Sequence, residues 1–418
     1  MGDVLEQIID AACQEVKARG GAGLRLENVA EACHVSVSLL YKYVGNRQEL
    51  VLLGSGRWAA EEAARFEADM DEIFADVATL DDLARAAMAY VVDQESDGFS
   101  GLRWGLAMGV VLSERHAHVA GEASAARARG IATFTQALER VIESEGGTPV
   151  VPASALARFL LSLWYGNLIA ALNTEIERRP DEVIALLLEI TGAVIFGGDS
   201  SIYVDPTPMV MIPEGIVFPE PRTRREAILR AATEEIVEVG MSEFMLKSVA
   251  HRAGVSPSHV HYYFKSVTEL IAAATVYRTD LALEQWGHGS ATSAARLTSP
   301  DGLRRTFSEG ARRSLSPELH IFRHETIESI LIARNHPSSL AAAIETSGQV
   351  RAFWLEALGV ADAHGLLKSE RFSVLTIASF IQTLVYGLYL FNDQSVDESE
   401  IVEWQLLYGV LAATVMRD

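Results

Sequence analysis

Two cysteines, Cys13 and Cys33, are all that this 418-residue chain contains, so no disulfide framework holds it together and a reducing cytoplasm is its expected setting. Long apolar runs are missing too. The most apolar stretches, FLLSLWYGNLIAAL and VIALLLEITGAVIF, are interrupted by Asn167 and Glu189, which leaves them short of the roughly 20 apolar residues that a bilayer span needs. Both are expected to be buried helices, and no membrane partner is expected. The opening MGDVLEQIID carries acids where a secretion signal carries bases, and Glu6 stands where a myristoylation motif has Ser or Thr. No glycine-rich phosphate loop occurs, and nucleophile, acid and base candidates show no catalytic spacing, so an enzyme is not expected. His116 and His118 diverge on a helix, and neither they nor His320, His324 and His336 have cysteine companions; no metal and no cofactor is expected.

Positive charge is scarce as well, with 35 Lys and Arg against 56 Asp and Glu and a net charge of −21. Such a balance argues against a nucleic-acid partner, but the field that matters is the one at the contacting face. Residues 222–270 hold seven bases against six acids, and residues 1–50 hold five against seven, so both windows are far less acidic than the remainder. Charge by itself leaves the partner open.

What the chain does have is an internal repeat. At a constant offset of 220, Ile8, Ala11, Ala12, Gly20, Leu26, Val29, Ala30, Val35, Ser36, Ser38, Tyr43, Glu49 and Leu50 each recur as the same residue. Downstream, FLLSLWYG at 159–166 aligns with FIQTLVYG at 380–387, the offset having grown by one. Whole domains are therefore duplicated. Between the copies, residues 198–221 hold five of the twelve prolines and show no helical period, which marks a linker. Its apolar triplets predict that it lies against the protein surface rather than swinging free.

Within each copy the pattern is helical. Val4, Leu5, Ile8, Ile9, Ala12 and Val16 form a one-sided stripe, a second helix runs from about Leu26 to Cys33, and a short third helix spans about 37–43 after a tight turn. Three helices with that turn describe a helix-turn-helix unit. Ala30 and Ala250 are small where two helices cross, Val35 and Val255 plug the turn, and Gly254 supplies a left-handed backbone. Ser36 and Ser256 are placed to cap the third helix, with Leu40 and Val260 pointing inward. Val37, Ser38, Leu39 and Lys42 then face outward in the first copy, and Pro257, Ser258, His259 and Tyr262 in the second; this face fits a major groove.

VAEACHVSVSLLYKYVGNRQEL and VAHRAGVSPSHVHYYFKSVTEL, each followed by a long helical body, resemble the TetR family of bacterial transcriptional repressors, and each half has the length of a family subunit. The resemblance implies double-stranded operator DNA as partner. It adds Tyr41, Tyr43, Arg47 and Tyr263 as phosphate contacts, with Arg25, His261 and Lys265 placed to compensate for departures from the pattern. Those departures are Arg25 and Met245 where a threonine is usual, His34 at the turn glycine, His261 for a tyrosine, and Val267 for a base.

The resemblance also implies a small-molecule effector pocket in each body, with Phe99, Arg103, Trp104 and Met108 as candidates in the first and Phe322, Arg323 and His324 in the second. Finally, it implies a four-helix interface built from the last two helices of each body. Gly166 and Gly387 fall at matching places in the penultimate helices, where a missing side chain permits close approach. The expected architecture is all-α, with two helix-turn-helix domains (1–54 and 222–274), two bodies (55–197 and 275–418) and a linker (198–221), paired within the chain as a pseudo-dimer. The alternative is a small-molecule or partner-binding protein of the same build with degraded DNA binding.

Overall fold

A computed structural model describes residues 2–96, 102–170, 180–197, 217–241, 244–288, 296–315, 328, 331, 337–391 and 397–417. Among them the chain is helical, with one isolated antiparallel bridge between Leu367 and Met416 and no strand. The first half contains α1 (Gly2–Gly23), α2 (Leu26–Ala32), α3 (Val37–Val44), α4 (Arg47–Phe74), α5 (Leu80–Ser96), α6 (Leu102–Arg115), α7 (Ala117–Ser144), α8 (Ala153–Ala170) and α9 (Pro180–Ile195). The second contains α10 (Arg224–Val239), α11 (Leu246–Arg252), α12 (Pro257–Tyr263), α13 (Val267–His288), α14 (Pro300–Leu315), α15 (Pro337–Ala363), α16 (Val374–Phe391) and α17 (Glu398–Val415).

Local chemistry sets where these helices begin and end. Thr223 and Glu226 form a reciprocal capping box at α10, and Asp397 and Glu400 do the same at α17. Gly20 and Gly240 occupy the same unusual backbone conformation, φ 71° with ψ 164° and φ 79° with ψ 169°, one breaking the helical run of α1 and the other ending α10. A side chain resists that geometry, which explains why glycine recurs at this offset.

The two copies differ in how the small N-terminal head joins its body. In the first, Ile8, Ala12, Cys13 and Val16 of α1 belong to the same apolar cluster as Trp58, Phe66 and the rest of the body. Ion pairs reinforce the joint: Lys17 with Glu61, and Arg57 with Glu6 and, at 2.7 Å, with Asp10. In the second, Ile228, Ala232, Ile236, Val249, Val260, Phe264 and Leu270 close a separate, smaller core. Each fully buried aliphatic side chain contributes about 2 kcal/mol relative to exposure, so the second head carries its own share of folding free energy. The buried carboxylate of Glu328 accepts from the Met241 N–H at 2.9 Å and ties this head to its body. At the described end of the linker, Val217 exchanges hydrogen bonds of 3.1 and 2.6 Å with the Gln285 side chain on α13, while residues 198–216 of the expected linker lie outside the described residues.

The halves meet through α8 and α9 of one and α16 and α17 of the other. At the crossing of α8 and α16, a Cβ on Gly166 would lie 1.8 Å from the Thr383 carbonyl oxygen, and one on Gly387 would lie 1.7 Å from that of Ser162. Only hydrogen fits at either position, as the matching glycines suggested. Phe159 packs on Phe380 and Trp404 at centroid distances of 6.4 and 5.7 Å, and Tyr165 on Phe391 at 5.0 Å. Around this apolar centre Arg158 pairs with Glu400 at 2.8 Å, Arg371 with Glu189, and the Ser373 hydroxyl donates to Glu182 at 3.0 Å. Arg127 of α7 donates to the Leu390 carbonyl at 2.7 Å. The contact between the halves is thus packed like a domain core, with charged pairs at its margins.

Candidate nucleic-acid interface

In the first head the chain leaves α2 with Val35 N–H donating to Ala30 O at 2.9 Å, which folds the turn back over the helix. His34 takes φ 54° there, the one non-glycine residue with positive φ among the described residues. That conformation costs a side-chain-bearing residue about 1–2 kcal/mol. The second head repeats the turn with Val255 on Ala250 at 2.9 Å and Gly254 at φ 64°, without that cost.

Ser36 Oγ accepts from Leu39 N–H at 3.2 Å and Ser256 Oγ from His259 N–H at 3.3 Å, so both serines cap their reading helices as expected. Behind them Leu40 and Val260 are fully buried. Ser38, Leu39, Tyr41 and Lys42 are exposed on α3, with Val37 and Tyr43 half-buried; on α12 Pro257, Ser258, His261 and Tyr262 are exposed, with His259 and Tyr263 half-buried. Tyr262, 81% exposed, stands furthest out and leans edge-on against Tyr263, with centroids 5.2 Å apart. Arg25 and Lys265 are exposed beside these faces. The N-cap positions of α2 and α11, Arg25 and Met245, make no side-chain cap, so the missing threonines leave real gaps.

Arg47, expected as a phosphate contact, makes hydrogen bonds within the head. Its Nη2 donates to the carbonyl oxygens of Gly21 and Leu24 at 2.9 and 3.1 Å, locking the loop between α1 and α2. A guanidinium so engaged positions the head, and a phosphate would have to compete for it. The residues that sequence reasoning missed are Glu15 and Glu235, which also recur at the 220 offset. Glu15 accepts from Asn28 Nδ2 at 2.9 Å and from Arg25 N–H at 3.3 Å; Glu235, 1% exposed, accepts from Ser248 Oγ at 2.6 Å and Arg252 Nε at 3.0 Å. Asn28 and Ser248 are themselves offset by 220, so the same carboxylate braces the same helix in both heads. An acid repeated at the 220 offset, with a polar residue thirteen positions on in both copies, was the available signal.

Residues 8–53 and 228–274 each match the family model described as bacterial regulatory proteins, tetR family. Both halves carry a tetR-type N-terminal domain. Among solved structures, a putative TetR-family transcriptional regulator from Rhodococcus sp. is 24% identical and covers 44% of this chain and 94% of its own, with a TM-score of 0.33. A second, from Mesorhizobium loti, is 15% identical, covers 46% of this chain and 96% of its own, and has a TM-score of 0.34. No curated protein matches.

Behind the tetR-type heads, the bodies differ in polarity. In the first, α4, α6 and α7 line a small, partly open pocket bordered by Ala59, Ala63, Leu106, Val110, Ser124 and Arg127 among others, with room of about 10 Å³, about one water. Met108 is half-buried on α6; Arg103 and Trp104 lie on that helix with side chains outside the described residues, as do Phe99, Phe322, Arg323 and His324 altogether. Glu62 is buried beside Gly105, and burial pushes its carboxyl pKa up despite Arg65 at 3.1 Å.

In the second body Arg278 occupies the place of Trp58, nine-tenths buried, with burial bringing its pKa down to about 10. Gln382 Nε2 there lies 2.8 Å from the Ser347 carbonyl, 3.0 Å from its hydroxyl and 3.2 Å from the Tyr386 hydroxyl, and burial raises the pKa of that phenol. Among the described residues no group of three metal-ligating side chains occurs, and no helix is long and apolar enough to cross a membrane.

Proposed function

We propose that this chain is a ligand-responsive transcriptional regulator, a repressor, whose two unlike heads read two unlike half-sites of one operator. The observation that carries it is the pairing of two capped, outward-facing reading helices of different chemistry in one covalently joined pseudo-dimer. Leu39 and Lys42 offer an apolar surface suited to a thymine methyl and a cation suited to guanine or phosphate; Ser258, His259 and Tyr262 offer neutral hydrogen-bonding groups. Tyr41, Tyr43, Tyr263, His261, Arg25 and Lys265 flank these as phosphate contacts, with Arg47 holding the first head in shape.

A ligand bound in a body would act by changing the separation of the heads. Half-sites one turn apart demand reading helices about 34–36 Å apart, so a shift of a few ångströms disfavours DNA. The second body, with its buried Arg278, Ser347, Gln382 and Tyr386, suits a polar effector. The setting is the cytoplasm and no catalysis is assigned. A mobility-shift assay on DNA flanking the chain's own gene, at stated salt, tests the reading. Specific retardation that a small molecule relieves supports it. Complete absence of retardation at low salt favours a ligand- or partner-binding protein without DNA, the reading to which the uncapped Arg25 and Met245 positions point.

A further inference from the structure

The second head carries a feature outside the helix-turn-helix itself. Arg222, Arg224 and Arg225 are all exposed where the linker enters α10, and among the described residues no carboxylate forms an ion pair with any of them. Two of the three are braced against the reading helix. Arg224 Nη1 lies 3.3 Å from His259 Nε2, and the Arg225 guanidinium sits 5.4 Å from the Phe264 ring centroid at the far end of α12. An arginine can only donate, so in this contact the His259 Nε2 is the acceptor. Thr223 and Glu226, through their capping box, and the Arg222 N–H, which donates to Glu226 at 2.6 Å, fix the backbone from which the arginines project. The segment is therefore presented in a set direction, beside the face that fits the groove.

The first head has nothing equivalent. At the 220 offset the three positions are Gly2, Val4 and Leu5, and the latter two pack partly buried against the core. Its other cations are also mostly engaged: Lys17 with Glu61, Arg19 with Glu15 at 3.3 Å, and Arg47 with two carbonyls, leaving Arg25 and Lys42 exposed. In a chain of net charge −21, three clustered arginines beside a reading helix are a local reversal of sign.

We propose that Arg222, Arg224 and Arg225 form a phosphate-binding arm of the second head, and that this arm makes the second head the electrostatic anchor of the DNA complex. The inference rests on the DNA-binding reading given above. Arginine suits the task because its planar fork donates two parallel hydrogen bonds to a phosphate and keeps its charge at every working pH. Arg224 trades its contact with His259 for a charge-assisted one to phosphate, which frees His259 Nε2 for a base edge. The arm lies at the flank of one half-site only, so the complex is electrostatically lopsided.

The test uses the full chain and a DNA fragment that it selects from a random pool. The slope of log affinity against log salt is compared for wild type, R222A/R224A/R225A, and the charge-conserving R222K/R224K/R225K, with circular dichroism confirming the fold of each. Each phosphate contact contributes about 0.9 to that slope, so the alanine variant is expected to be shallower by about 2 to 3 and the lysine variant nearly unchanged. Ethylation interference on the same fragment should lose sensitive phosphates at one flank alone. An unchanged slope in the folded alanine variant, or losses spread equally over both flanks, overturns the arm. Wild-type protein that selects no DNA at all overturns the DNA reading itself.

Discussion

Adding one methyl group at Gly387 is the sharpest perturbation of the joint between the halves. Gly387→Ala places a Cβ 1.7 Å from the Ser162 carbonyl oxygen and 2.4 Å from its carbonyl carbon, where contacts under 3.0 Å force something to move. The shortfall is roughly 1.3 Å and the obstacle is helix backbone, so no side-chain rotation relieves it; α8 and α16 must part. Parting them loosens Phe159 against Phe380 and Tyr165 against Phe391. Overpacking of this kind costs about 1–3 kcal/mol, against about 1 kcal/mol returned because alanine favours helix over glycine. Repeating the change at Gly166 should add to the loss less than independently, since the two sites share one crossing.

The control is Gly121→Ala on α7, where a Cβ meets nothing within 4 Å. It receives the helix-propensity gain with no clash. Urea denaturation should therefore show a lower midpoint than wild type for Gly387→Ala and an equal or higher one for Gly121→Ala. DNA affinity should fall for the first and hold for the second, because the crossing fixes how far apart the heads stand. Equal midpoints for the two variants would refute the close crossing.

Other changes probe the heads. Arg47→Ala should destabilise by about 2 kcal/mol through loss of the bonds to Gly21 and Leu24, yet leave the salt slope of DNA binding unchanged; a slope shallower by about 0.9 would return Arg47 to the phosphate contacts. Glu235→Ala, which removes the partner of Ser248 and leaves Arg252 with Glu238 alone, should cost the second head about 1–3 kcal/mol, seen as earlier melting of that head in hydrogen exchange. His34→Gly should stabilise the fold by about 0.5–1 kcal/mol, read as a higher urea midpoint, because it relieves a positive φ of 54°. Burial pushes the Cys13 thiol up to about 11. Its folded pKa is above the ordinary value, so the stability it contributes is present below pH about 9 and lost as pH rises towards 11; native protein at pH 8 should therefore label with a thiol reagent faster at half-buried Cys33 than at Cys13.

Periodicity and the 220-residue offset were enough to read the duplicated architecture, because apolar stripes and turn glycines report backbone needs that do not depend on distant partners. Ser36 and Ser256 cap three residues ahead, and Gly20 and Gly240 share one backbone conformation; local chemistry dictates each. Gly166 and Gly387 were legible for a related reason: a residue without a side chain, recurring inside an apolar helix, marks a contact surface. Polar side chains were harder to read. Whether Arg47 faces a phosphate or the carbonyls of Gly21 and Leu24 depends on where a loop from another helix ends, which spacing does not encode. Glu15 and Glu235 were hidden likewise, since an acid on an amphipathic helix reads as solvated until Asn28 or Ser248 is found opposite it. The different joining of heads to bodies followed from single exchanges, Arg57 to Tyr277 and Glu61 to Leu281, whose meaning appears only once α1 and α4 are seen side by side.

The claim that one chain reads an asymmetric operator through two different heads is tested most directly by footprinting with systematic base substitution, together with the mass of the complex. The account predicts one chain per operator, half-sites of different sequence, and separable effects: Lys42→Ala relaxing one half-site and Tyr262→Ala the other. A palindromic operator bound by two chains, with each half-site equally sensitive to both substitutions, would contradict it, because matching heads from different chains would then be sharing the DNA.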